Sequence, residues 1–178
     1  MNILVTGKNG QLGSEINELS VNSKHNFIFL GSDKCDISDL KSLELIVEEF
    51  NINSIINCAA YTAVDNAEDE VEKAFLVNEI GVKNINTVAI ENSLKYIHIS
   101  TDYVFDGTAN SPYDVSDKIN PIGVYGKSKR KGEEAVINSI SDAIIIRTSW
   151  LYSSFGNNFV KTMIRLGKER EELNVVSD

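Results

Sequence analysis

Short apolar runs alternate with longer stretches in which apolar residues recur every three or four positions. Asn2–Thr6 has the near-continuous hydrophobicity of a strand covered on both faces, and Gln11–Leu19 the spacing of an amphipathic helix. The same pattern predicts strands at Asn26–Leu30, Ser54–Cys58, Tyr96–Ser100, Ala143–Arg147 and Leu173–Val176. A helix capped by Ser38 or Asp39 runs through Phe50, with Leu40, Leu43, Val47 and Phe50 on one face. Ala67–Val77 and Val82–Glu91 read as helices interrupted at Gly81, and Tyr125–Asn138 and Phe155–Lys168 as two more. Thr101–Gly123 holds both prolines, Pro112 and Pro121, and reads as a long loop. Strand and helix in turn predict an α/β fold: a doubly wound, Rossmann-like parallel sheet.

Such sheets bind ligands outside the C-terminal ends of their strands, where the strand order reverses. The informative residues therefore follow strands, and Gly7, Ala60, Thr101 and Thr148 all do. Gly7-Lys8-Asn9-Gly10-Gln11-Leu12-Gly13 joins the first strand to the first helix. Gly7 permits the tight turn, Gly10 lets backbone approach a pyrophosphate, and Gly13 lets helix and strand pack closely. Free N–H groups at the helix start favour phosphate. The acid that would hold a ribose 2′-hydroxyl is missing at Gly31, where the second strand ends; Asp33 follows, then Lys34, which suits a 2′-phosphate. NADH and NADPH both stay open, and Asp33 reads equally well as a turn residue.

Tyr125 and Lys129 are four apart, on one face of a helix. A phenol has a pKa of about 10, and a neighbouring ammonium favours its phenolate. Tyr125 then reads as a proton donor to a carbonyl oxygen, with the Thr101 hydroxyl beside it. His98 reads as a structural residue inside its strand. Trp150, the only tryptophan, reads either as a core aromatic or as a ligand contact just after the fifth strand.

Composition narrows the classes. A formal net charge of -9 speaks against a nucleic-acid surface. The two cysteines, Cys35 and Cys58, have no metal spacing; Cys58, in an apolar run, reads as a buried core thiol in a reducing compartment. No stretch reads as a leader or a membrane span, so a cytoplasmic location is expected. Asp65–Glu72 reads as a helix N-terminus and solvated face, not a metal site, and Asn78 as a residue that orients backbone or water.

The glycine loop, Ser100-Thr101 and Tyr-x-x-x-Lys, in that order, resemble the extended short-chain dehydrogenase/reductases. The segments Asn57–Asp65, Ser100–Gly107, Pro121–Lys129, Arg147–Tyr152 and Gly156–Met163 narrow the likeness, over the whole chain, to the dTDP-4-dehydrorhamnose reductase family. That resemblance implies reduction of a dTDP-sugar ketone at C4 by NADPH or NADH, to supply dTDP-L-rhamnose for bacterial surface polysaccharide. It implies cofactor contacts from Gly7, Gly10, Gln11, Leu12, Gly13, Asp36, Ile37, Ala60, Tyr61, Thr62, Tyr125 and Lys129. It implies catalysis by Tyr125 and Lys129, tuned by Thr101, and sugar-nucleotide contacts from Thr101, Asp102 and Trp150. No metal ligand is indicated by the sequence; magnesium and a homodimer are left open. Family members continue for roughly another 100 residues. The resemblance thus implies a cofactor domain at 1–150, then at 151–178 the start of a substrate region most of which is absent, leaving the activity of the chain alone in doubt. Two alternatives stand: another nucleotide-sugar epimerase or dehydratase, and a non-catalytic NAD(P)-binding subunit that partners an adenosyltransferase.

Overall fold

The computed structural model describes residues 1–174. Five strands, β1 (Asn2–Thr6), β2 (Asn26–Leu30), β3 (Ser54–Asn57), β4 (Lys95–Thr101) and β5 (Ile144–Thr148), form one parallel sheet in the order β2-β1-β3-β4-β5. The order reverses between β1 and β3, so the crevice there is where such a sheet takes a ligand. The expected strand at Leu173–Val176 runs into residues outside the described ones.

The helices α2 (Leu40–Glu49), α4 (Gly81–Glu91) and α5 (Val124–Ser139) lie side by side on one face. Their apolar stripes close over the inward side chains of the strands. Leu4, Ile55 and Tyr96 from the sheet meet Leu43, Val47, Val82, Ile85, Val88 and Val136 from the helices, all buried. α2 starts where the Asp39 carboxylate accepts from the backbone N–H of Lys41 and Ser42, so Asp39, and not Ser38, is the cap. The opposite face carries α1 (Gln11–Ser20) and the start of α6 (Phe159–Glu169). Cover is thinner there: no residue of α6 is buried, and Ile144 and Ile146 of the edge strand β5 are exposed. α6 begins four residues later than its apolar pattern suggests, because Asn158 caps it through the N–H of Lys161.

Two sequence expectations fail between β3 and β4. Gly81 does not interrupt a helix: α3 (Val71–Phe75) continues into α4 through a π-helical turn, Leu76–Ile80. The glycine is there because the Ile37 side chain fills the place of its missing Cβ. Upstream, Asn66–Glu68 is a separate 3₁₀ turn, so the regular helix starts at Val71 and not at Ala67. The long loop also holds a 3₁₀ turn, Asp102–Val104, started by the Thr101 hydroxyl, which accepts from the N–H of Tyr103.

Candidate active site

A cleft of about 790 Å³ runs along the C-terminal ends of the strands, in the size range of small-molecule sites. The glycine loop lies at one end, and Tyr125, Lys129, Thr101 and Trp150 at the other. Every residue that the sequence reading assigned to cofactor or substrate lines it: Gly7, Gly10, Gln11, Leu12, Gly13, Asp36, Ile37, Ala60, Tyr61, Thr62, Thr101, Asp102, Tyr125, Lys129 and Trp150.

Two of the glycines are required. Gly7 has φ +69°, and a Cβ there would come within 2.7 Å of the backbone of Cys58 and Ala59. A Cβ on Gly13 would meet the Gly7 carbonyl oxygen at 2.4 Å, so its role is to let the helix close on the loop itself. No side chain caps α1, whose N-cap is Gly10. Its first N–H groups are therefore free for an anion. At the end of β2, the Asp33 carboxylate, the Asn9 amide and the Lys8 stem crowd the space beside Gly31. Asn9, Gly31 and Ser32 line the cleft, whereas Asp33 and Lys34 do not.

Cys58 is corrected: β3 stops at Asn57, and the thiol is half-buried on the cleft wall instead of in the core. Burial pushes it up to about 12, with the Lys129 ammonium pulling the other way, so it is a neutral thiol. His98 is fully buried, as a structural residue would be. Its Nδ1 lies 3.2 Å from the Asn57 amide and 3.2 Å from the Tyr96 hydroxyl, and burial holds its pKa well below the ordinary range.

Tyr125 and Lys129 stand one turn apart near the start of α5, and both are buried. Lys129 is only 2% exposed, and its Nζ donates to the Ile99 carbonyl at 2.7 Å. Burial pushes this ammonium down to about 8, against the pull of Glu133. Burial also raises the phenol of Tyr125; the Thr101 hydroxyl opposes this, and Asp102 adds to the rise. Lys129 is not among the groups that shift the phenol: its Nζ is turned to the strand, and burial is the largest influence on Tyr125. Around them, Thr101 Oγ1 donates to Asp102 at 3.0 Å, Ser149 donates to the same carboxylate at 2.6 Å, and the Tyr103 ring meets Tyr125 edge-on at 5.5 Å. Trp150 is 70% exposed at the cleft mouth, edge-on to Phe159 at 5.1 Å, which excludes the core-aromatic reading.

Two further residues hold this arrangement: Glu68, which the sequence placed on a solvated face, and Asn78, which it read as orienting backbone or water. Glu68, inside the acidic stretch, accepts from the N–H of Val124 and so caps the start of α5. Asn78, in the π turn, accepts from the N–H of Tyr61 and donates to its carbonyl and to Ser128 Oγ, which in turn donates to the carbonyl of Tyr125. The one signal for it was an asparagine inside a helical pattern. Asn78→Ala strands these partly buried groups, and a loss of about 2–3 kcal/mol in urea unfolding is expected.

Among the described residues there is no cluster of three His, Cys, Asp or Glu side chains that could hold a metal ion, and no helix long and apolar enough to cross a membrane. The family model described as the RmlD substrate binding domain matches residues 1–178. A dTDP-4-dehydrorhamnose reductase of Aggregatibacter actinomycetemcomitans is 45% identical over 99% of the chain, and the chain spans 60% of that protein. The crystal structure of a dTDP-4-dehydrorhamnose reductase from Clostridium acetobutylicum superposes with a TM-score of 0.95 at 44% identity, over 99% of this chain and 62% of that one. That of the Bacillus anthracis dTDP-4-dehydrorhamnose reductase, in complex with NADP, gives 0.93 at 42%, over 97% of this chain and 61% of that one. From the glycine loop to the Tyr/Lys pair, the chain belongs to the RmlD substrate-binding-domain family.

Proposed function

We propose that this chain forms the cofactor-binding and catalytic part of a reductase that uses NADPH or NADH to convert the C4 ketone of dTDP-4-dehydro-L-rhamnose to the alcohol of dTDP-L-rhamnose. Residues 151–178 begin its substrate-binding region. The observation that carries the reading is the burial of Tyr125 and Lys129 together at one end of a cleft whose other end is an uncapped helix start behind a glycine turn. The likeness to a reductase with bound NADP supports it.

The residues present suit a dinucleotide. The N–H groups at the start of α1 would hold the diphosphate, and Asp36 and Ile37 the adenosine end. Lys129 keeps hydrogens beyond the one given to Ile99, for the hydroxyls of the nicotinamide ribose. When bound, the nicotinamide supplies hydride to the carbonyl carbon. Tyr125 supplies the proton: a phenol is protonated at neutral pH, as a donor in the reducing direction must be. Tyr125 would pass its phenol proton to the ketone oxygen, and the phenolate would regain a proton from solvent. Thr101 stands beside the phenol, and Asp102 and the exposed face of Trp150 would meet the sugar nucleotide.

The test is oxidation of NADPH by the full-length protein on dTDP-4-dehydro-L-rhamnose, with the product identified. Stoichiometric dTDP-L-rhamnose is expected. Epimerisation or dehydration of another nucleotide sugar, with no net NADPH consumed, would overturn the assignment.

A further inference from the structure

α5 carries a second ionisable side chain turned away from water. Glu133, four residues after Lys129, is 0% exposed. A carboxylate survives there only if it is paired. Arg147 of β5 grips it with two bonds, Nε to Oε1 at 2.8 Å and Nη2 to Oε2 at 2.8 Å, and Arg130 adds Nη1 to Oε2 at 3.0 Å. The Arg147 guanidinium also lies over the Phe105 ring at 5.1 Å, and that ring stacks on Tyr113 at 4.2 Å. Helix, edge strand and long loop thus all fix one carboxylate. The spacing of four puts it on the face of α5 that bears Lys129, with about 5–6 Å between Cβ atoms.

We propose that Glu133 is a positioning residue for this site: locked by Arg147, its carboxylate is the counter-charge that keeps the buried Lys129 ammonium protonated and able to hold a dinucleotide. The proposal rests on the cofactor reading of the cleft.

The groups around Lys129 single out Glu133. Cys58, beyond β3, is a neutral thiol, and His98 on β4 is a neutral imidazole. The Ile99 carbonyl is uncharged, and Tyr125 is a neutral phenol. Asp102 bears on Tyr125. Glu133 remains an anion: burial works against its charge, but Arg147 and Arg130 hold its carboxyl below the usual range.

Glu133→Gln keeps the shape and removes the charge. NADPH affinity of this chain, read by the fluorescence of the bound cofactor, is measured from neutral to alkaline pH. In the parent chain affinity should hold at neutral pH and weaken as pH rises through about 8, where Lys129 loses its proton. In Glu133→Gln that weakening should begin at least about one pH unit lower, a tenfold fall in proton affinity. Glu133→Asp, which retains the charge but draws it back by one carbon, should place the limb between those of the parent and Glu133→Gln. A Glu133→Gln protein that binds more weakly at every pH, with its alkaline limb unmoved, would reduce Glu133 to a structural brace and overturn the proposal. If Glu133→Gln fails to fold, NMR titration of the ¹³Cε-labelled lysine decides between parent and Glu133→Asp: a lower midpoint in the shorter acid supports the proposal, and an unchanged one sinks it. If the parent chain binds no NADPH, the cofactor reading falls, while the lysine titration still judges the charge pairing.

Discussion

Tyr125→Phe, made in the full-length protein, is expected to bind NADPH as the parent does and to lose turnover by a factor of about 10²–10⁴, the usual contribution of a positioned acid. The ring stays in its packing, edge-on to Tyr103 and against Ala67 and Ala74, so neither the fold nor the cleft should change. Only the transferable hydrogen is removed. Calorimetry with NADPH beside an NADPH oxidation assay separates the two effects. A Phe variant with near-normal turnover would mean that another group delivers the proton.

Lys129→Met should do the reverse on binding. It removes an ammonium from a site with almost no access to water and leaves an apolar chain of similar reach. Charge-assisted hydrogen bonds contribute about 1.5–3 kcal/mol, so NADPH affinity should fall by about 10–150-fold. Thermal stability should hold or rise, because the cost of burying a charge disappears while most of the packing stays. Loss of affinity together with a lowered melting temperature would make the lysine a structural element first. Unchanged affinity would remove it from the proposed cofactor site.

The sheet and the cleft were legible in the sequence for one reason: strands buried on both faces are short and apolar, and ligand residues follow them directly. Asn2–Thr6 and Asn26–Leu30 match residue for residue, and the glycine loop and Tyr125/Lys129 face one cleft. The misses have a common cause. Gly81 looked like a break because its local propensity is poor, yet the side chain of Ile37, distant in sequence, makes glycine the residue that fits there. Glu68 looked like one charge in an acidic run, and its partner N–H is on Val124. Cys58 looked like core because its neighbours are apolar, whereas the sheet ends one residue earlier. Glu133 carried no signal, since an acid four places from a lysine on a helix is ordinarily a surface pair. What periodicity cannot report is the far partner.

The widened turn at Leu76–Ile80 matters for how α5 is held. Ala74, Asn78 and Val82 all reach that helix, at Tyr125, Ser128 and Gly132 in turn. Two steps of four residues would overshoot a straight α-helical stripe by about 80° and carry the third contact off the seam. The looser coil absorbs that excess, so three successive rungs stay in line like the teeth of a zip. Deleting a single residue from the turn would close the coil, unmesh the rungs below it, and leave Tyr125 on a helix that has lost one of the seams indexing its rotation.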